Sequence, residues 1–89
     1  MDKDTQLSDV QFDAEHISLV FLSEIEKIMD KRGVKKSDLA KMLNTSKSYL
    51  TQLWNGDKVL SLQMVARIQI ALNIKFKIKA NEQQHTITG

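Results

Sequence analysis

The chain has 89 residues, 42% hydrophobic and 27% charged, and no cysteine, so it is sized for one small globular domain without disulfide bonds or thiolate metal sites. Its net charge of +2 divides into an acidic part, residues 1–30 (eight acidic residues and two lysines, net −6), a basic part, residues 31–79 (eleven basic and two acidic residues, net +9), and Glu82, which contributes the remaining −1. The basic part favours a polyanionic partner, with a solvated lysine surface as the alternative.

The first predicted element is a polar, flexible arm over residues 1–12, in which Val10 and Phe12 could form a short strand or pack on the core. This segment is acidic and lacks the apolar centre of a signal peptide, so with the absence of cysteine it predicts a cytoplasmic protein. From Asp13 onward, apolar residues at spacings of three and four predict a helix. Gly33 ends that helix, since glycine readily adopts the left-handed conformation of a C-terminal cap.

Three shorter helices are predicted next. Their expected bounds are about Lys36 to Leu43, about Lys47 to Trp54, and from the N-cap Ser61 to Asn73. Asn44 suits a left-handed cap at the end of the first, and Ser46 is a good N-cap for the second. The turn between the second and third is marked by Asn55, Gly56 and Asp57.

The pattern then changes to strict alternation of apolar residues with lysines. Ile74, Phe76 and Ile78 alternate with Lys75, Lys77 and Lys79. This predicts a β-strand over residues 74–79, whose lysine face either contacts DNA or keeps the strand soluble. Because a lone strand leaves its edges unpaired, we expect it to pair with the arm or with its counterpart in a second subunit. The polar residues 80–89 predict a disordered tail.

The segment Lys36 to Gly56 has the properties of two helices that cross at a tight connection. Ala40 allows the two helices to approach closely, where a larger side chain would separate them. Four leucines attach both helices to the rest of the domain: Leu39, Leu43, Leu50 and Leu53. This pattern is typical of a helix-turn-helix, in which the second helix enters the major groove of DNA.

The run VKKSDLAKMLNTSKSYLTQLWNG resembles the helix-turn-helix of the phage-repressor and Cro-like (Xre-type) regulators, and the resemblance extends over about Ile17 to Leu72. It implies an all-α fold, a compact four- to five-helix lambda-repressor-like bundle, here followed by the short C-terminal strand. Members are commonly transcriptional repressors or antitoxins that bind operators as dimers. The chain departs from the pattern at Lys35, Asn44 and Thr45, where a capping Ser or Thr, a glycine and an apolar residue are usual.

The resemblance also implies which residues contact DNA. The base-reading positions match Lys47, Ser48 and Gln52, with Tyr49 and Thr51 next in reach. Lysine can donate to guanine, and glutamine can bond adenine bidentately. The expected phosphate contacts are Lys36, Ser46, Asn55 and Lys58. An ordinary solvated helix face is the alternative for the base-reading set, and Trp54 is expected in the core or at its rim rather than stacked on a base.

We therefore predict a helix-turn-helix DNA-binding domain over residues 13–79 that binds double-stranded DNA as a homodimer. The predicted role is that of a transcriptional regulator, and a repressor is the simplest form of that role. The alternatives are an antitoxin that also binds a toxin protein, and a protein-interaction module that has lost DNA binding. No catalytic set, cofactor motif or metal-ligand spacing is apparent, since His16 and His85 are isolated. The apolar run Ile17 to Leu22 is too short to span a membrane.

Overall fold

The computed structural model describes residues 3–82, with side chains from residue 9 onward, and over that range it contains four α-helices and no strand. The helices are α1 (Lys3–Arg32), α2 (Lys36–Leu43), α3 (Lys47–Trp54) and α4 (Leu62–Leu72). The predicted bounds of α2 and α3 are confirmed, as are the cap of α4 at Ser61 and its end at Asn73.

The hydrophobic core lies where the second half of α1 meets the three shorter helices. It consists of Leu22, Ile25, Met29, Leu39, Ala40, Leu43, Leu50, Leu53, Leu60, Met64, Val65, Ile68 and Leu72. Helix α2 packs against both α3 and α4, and α1 packs against α3. The four leucines of the helix-turn-helix are all buried, and so is Ala40, as its predicted role in close helix packing requires.

The caps of the helices are local features, and they form as predicted. Gly33, Asn44 and Asn73 have φ angles of 71°, 56° and 56°, which places all three in the left-handed region at helix ends. At the starts of α3 and α4, the side-chain oxygens of Ser46 and Ser61 each accept a hydrogen bond from a backbone amide at 3.0 Å. Local side-chain chemistry therefore sets where these helices begin and end.

Helix α1 starts earlier than predicted, at Lys3 rather than Asp13, so the expectation of a non-helical arm is wrong for residues 3–12. The sequence holds Leu, Val, Ala, Ile and Phe at positions 7, 10, 14, 17 and 21, which continues a helical spacing, and no glycine or proline interrupts it. Val10 and Phe12 form no strand and do not pack on the core, since 64% and 69% of their surfaces are exposed.

The predicted C-terminal β-strand is also absent from the described residues, because residues 74–82 have no regular secondary structure. A strand needs a hydrogen-bonded neighbour, and the arm, one of its two expected partners, is helical from residue 3 onward. Ile74 and Phe76 instead pack directly on the core, and the ring of Phe76 meets that of Phe21 edge to face, with centroids 5.0 Å apart. Ile78 is 80% exposed. Most of the predicted tail, residues 83–89, lies outside the described residues.

Side chains from distant parts of the chain tie the helices together. Arg67 of α4 donates a hydrogen bond to the carbonyl oxygen of Leu43 at the end of α2, and Arg32 of α1 does the same for Leu72 at the end of α4. The last carbonyls of a helix lack partners within it, so both arginines satisfy groups that would otherwise need water. Arg32 and Arg67, two of the eleven basic residues in the basic part of the chain, therefore stabilise the packing of the helices.

Candidate nucleic-acid interface

Helix α3 presents a polar face to solvent while its other face is anchored in the core. Leu50 and Leu53 are fully buried. Lys47, Ser48 and Thr51 are exposed. Since successive residues of an α-helix are about 100° apart, the polar side chains at positions 47, 48, 51 and 52 share one face roughly 140° wide. The buried leucines fix the orientation of that face relative to the bundle.

Two of the predicted base-reading residues are only partly accessible. Gln52 is half-buried at the end of the polar face, and Tyr49 is half-buried and packs against the core. The structure thus brings four of the five candidates onto one face and places Tyr49 at its edge. Tyr49 contributes more to packing than the sequence suggested.

The N-terminus of α3 combines a capping side chain with backbone donors. The Tyr49 amide donates to Ser46 Oγ at 3.0 Å, so that hydroxyl oxygen is used as an acceptor while its hydrogen stays available to a ligand. The amides of Lys47 and Ser48 belong to the first turn, where no intrahelical acceptor exists. A helix start with these donors suits an anionic oxygen such as that of a phosphate.

Trp54, the last residue of α3, lies at the rim of the core between two charged side chains. Its indole Nε1 donates a hydrogen bond to Oε1 of Glu26 on α1 at 2.9 Å. The Lys36 ammonium lies 5.0 Å from the centre of the indole ring, within the range of a cation–π interaction. Trp54 is thus held at the rim, as predicted, and it places the positive charge of Lys36 beside the C-terminal end of α3.

The loop after α3 folds back onto the helix. The amides of Asp57 and Lys58 both donate to the carbonyl oxygen of Gln52, at 2.9 and 3.3 Å. Gly56 has a φ of 85°, which side-chain-bearing residues rarely adopt, so the glycine permits this tight reversal. The exposed side chains of Asn55 and Lys58 consequently lie next to the last turn of α3.

The four predicted phosphate contacts therefore lie at the two ends of α3. Ser46 is at its start, and Lys36, Asn55 and Lys58 surround its end. The polar face with the base-reading candidates lies between them. Contacts to the backbone on both sides of a base-reading helix would fix its register in a groove, since phosphate contacts position a protein and base contacts specify sequence.

Sequence reasoning missed two residues that support this arrangement. Glu26 accepts a hydrogen bond from the Trp54 indole. Asp38, in the first turn of α2, accepts a hydrogen bond from the amide of the N-cap residue Lys35 at 3.0 Å and so caps the start of that helix. An acid three residues after a helix start is a signal that could have revealed the second contact. The first joins residues 28 apart in sequence, and no local pattern encodes it.

The isolation of His16 and His85 in the sequence predicts ordinary surface histidines rather than metal ligands. His16 is exposed on α1, whereas His85 lies outside the described residues. Within the part of the chain that the structure describes, no group of three histidine or acidic side chains is arranged to hold a metal ion. The same residues include no helix with the length and apolar character needed to cross a bilayer.

A family model described as helix-turn-helix matches residues 25–78, which is more than half of the chain. The chain belongs to the Cro-like (Xre-type) helix-turn-helix family. Its members are DNA-binding regulators, and α2 and α3 are the two helices of the motif. The match begins within α1 and leaves the first part of that helix outside the family domain. No curated protein and no solved structure matched the chain.

Proposed function

We propose that this family member is a sequence-specific transcriptional repressor that binds a near-palindromic operator as a homodimer. Each subunit lays α3 in the major groove, whose width admits a single helix. The observation that carries this proposal is the division of α3 into a fully buried leucine face and an accessible polar face with phosphate-binding candidates at both ends.

The chemistry of the polar face suits the edges of base pairs. Lys47 donates to the O6 and N7 acceptors of guanine, and Gln52 matches the donor and acceptor pair of adenine. Ser48 donates or accepts, while the methyl group of Thr51 contacts that of thymine. Tyr49, at the edge of the face, reaches either a base or a phosphate with its hydroxyl. These five residues form the proposed base-reading set.

The ends of α3 supply charge and donors for the sugar-phosphate backbone. Ser46 and the first-turn amides bind a phosphate at the start of the helix. At the other end, Lys36, Asn55 and Lys58 bind phosphates on the other side of the groove. Each phosphate that a lysine neutralises releases counterions, so affinity falls steeply as salt rises.

Repression follows from occupancy, because a protein bound over a promoter excludes the polymerase from it. The dimer follows from the symmetry of such operators. A two-fold protein matches two half-sites whose centres are about 34 Å apart, one turn of DNA.

Selection of bound duplexes from a random pool, followed by footprinting of the selected sequence, tests the proposal. The expected result is an enriched motif with two inverted half-sites and protection repeated about one DNA turn apart. Enrichment of a single asymmetric half-site would contradict the dimer. Absence of any enriched motif would contradict sequence-specific recognition itself.

A further inference from the structure

Lys36 is held more closely than the other lysines of this protein. Among the lysines of residues 9–82, whose side chains the structure describes, Lys36 alone is half-buried, whereas the others are exposed. Its ammonium lies 5.0 Å from the centre of the Trp54 ring. A lysine in solvent samples many rotamers, because its four-carbon stem is flexible and its head is strongly hydrated. The indole therefore restricts this one ammonium to the region beside the end of α3.

The position of Lys36 in its own helix does not account for this placement. Lys36 is the first residue of α2, where the helix dipole disfavours a positive charge. Among the side chains that the structure describes, no carboxylate pairs with it, since the single ion pair found there joins Lys27 to Glu24. The ammonium is therefore held by the Trp54 ring. A ring covers only one side of an ammonium, so the N–H groups on the other side can still donate to an anionic oxygen.

The indole ring is itself fixed from two sides. The neighbouring residue Leu53 is fully buried and anchors the last turn of α3 in the core. The indole Nε1 donates to the Glu26 carboxylate on α1 at 2.9 Å. A hydrogen bond from the indole to a carboxylate also raises the electron density of the ring, which strengthens its attraction for a cation over its face. A chain of contacts from Glu26 through Trp54 to Lys36 thus joins α1, α3 and α2.

We propose that Trp54 is a positioning residue for DNA binding, which holds the Lys36 ammonium where it contacts a phosphate beside the end of α3. The inference rests on the proposed function, in which Lys36 is one of the phosphate contacts. A lysine that is already confined in the free protein loses less side-chain freedom on binding, and that loss otherwise weakens association. Because a phosphate contact is independent of sequence, Trp54 raises the affinity for every duplex without contacting a base.

A double-mutant cycle separates this role from a purely structural one, in which the lysine stem only covers the rim of the core. The wild type, Lys36→Ala, Trp54→Leu and the double variant are compared for affinity to the selected operator and to a scrambled duplex, at a temperature where circular dichroism shows each to be folded. We expect Trp54→Leu to weaken binding to both duplexes by about two- to tenfold. Lys36→Ala should weaken binding less in the Trp54→Leu background than in the wild type.

Lys58→Ala is the matched control for the cycle, since Lys58 is the exposed lysine next to the same end of α3. Its effect on affinity should be equal with and without Trp54→Leu. Equal effects of Lys36→Ala in the two backgrounds would overturn the positioning role while leaving DNA binding by the wild type intact. A smaller effect of both lysine variants in the Trp54→Leu background would also overturn it, because α3 as a whole would then have moved. A wild-type chain that binds neither duplex defeats the proposed function, and this inference with it.

Fluorescence of the free protein tests the contact without any change at Trp54, which is the single tryptophan of the chain. A positive charge over the indole alters the energy of its excited state, so Lys36→Gln should shift the tryptophan emission. Lys41→Gln, which changes an exposed lysine on the same helix, should leave the emission as it is in the wild type. Identical emission from Lys36→Gln and the wild type would show that the ammonium does not lie on the ring in solution, and would overturn the proposal.

Discussion

The indole nitrogen of Trp54 donates a hydrogen bond to the carboxylate of Glu26 at 2.9 Å, and this contact joins the end of α3 to α1. Together with Lys36, whose ammonium lies over the indole ring, it holds the last turn of the proposed recognition helix in place. Trp54→Phe keeps the apolar ring and removes the donor. We expect a loss of about 0.5–1.5 kcal/mol in the free energy of unfolding, measured by urea denaturation.

Glu26→Gln provides the control for this prediction, since its amide oxygen still accepts from the indole. It should destabilise the protein less than Trp54→Phe. If Trp54→Phe unfolds at the same urea concentration as the wild type, the hydrogen bond contributes nothing to the stability of the fold.

Sequence readout by Gln52 is tested by its replacement. Gln52→Ala should relax the preference at one base pair at a cost of about 1–3 kcal/mol, while Lys58→Ala should weaken binding to all sequences alike. The measurement is the affinity for the selected operator and for duplexes changed at single positions. Gln63→Ala, an exposed glutamine on α4, is the matched control and should leave both unchanged. Equal losses on specific and random DNA for Gln52→Ala would remove Gln52 from the base-reading set.

Ser18 is the buried polar residue that fixes the chain before α4, since its Oγ accepts a hydrogen bond from the Leu60 amide at 2.8 Å. Ser18→Ala leaves that amide buried without an acceptor, so stability should fall by about 1–3 kcal/mol. Ser23→Ala, an exposed serine on the same helix, should change stability by less than about 0.5 kcal/mol. Comparable thermal unfolding of the two variants would show that the Ser18 contact is not a stabilising one.

The connection between α2 and α3 depends on the left-handed conformation of Asn44, with φ 56° and ψ 48°. Asn44→Gly should be tolerated, because glycine adopts this conformation without strain. Asn44→Ala should be about 1–2 kcal/mol less stable than Asn44→Gly, since its β-carbon lies close to the following carbonyl oxygen there and it lacks the short polar side chain whose local hydrogen bonding makes asparagine tolerable in this conformation. Equilibrium denaturation of the pair gives the difference, and equal stabilities would refute a strained left-handed cap.

The helix-turn-helix could be predicted closely from the sequence because its determinants are local. Ser46 caps α3 through an amide three residues away, and Asn44 ends α2 through its own backbone conformation. The burial of Leu50 and Leu53 follows from their spacing on one helix. These features depend on residues within one or two turns, which a single sequence displays.

Other parts of the fold depend on what the chain meets in space. Alternation from Ile74 to Lys79 predicted a strand, but no strand partner is present among the described residues, and Phe76 packs on Phe21 instead. Helix α1 begins at Lys3, earlier than the predicted start at Asp13, because the helical spacing of apolar residues continues through positions 7 and 10. Contacts such as that of Arg67 with the Leu43 carbonyl join distant positions that no local pattern relates.

The most direct test of the central claim, that α3 gives this chain sequence-specific binding to DNA, is a comparison of its affinities for the selected operator and for a scrambled duplex of equal length. The two affinities are measured across about 50 to 200 mM salt, because nonspecific binding at low salt masks the difference. We predict that the operator is bound at least about 1,000-fold more tightly near physiological salt, with both affinities falling as salt rises. Equal affinities for the two duplexes at every salt concentration would contradict the claim.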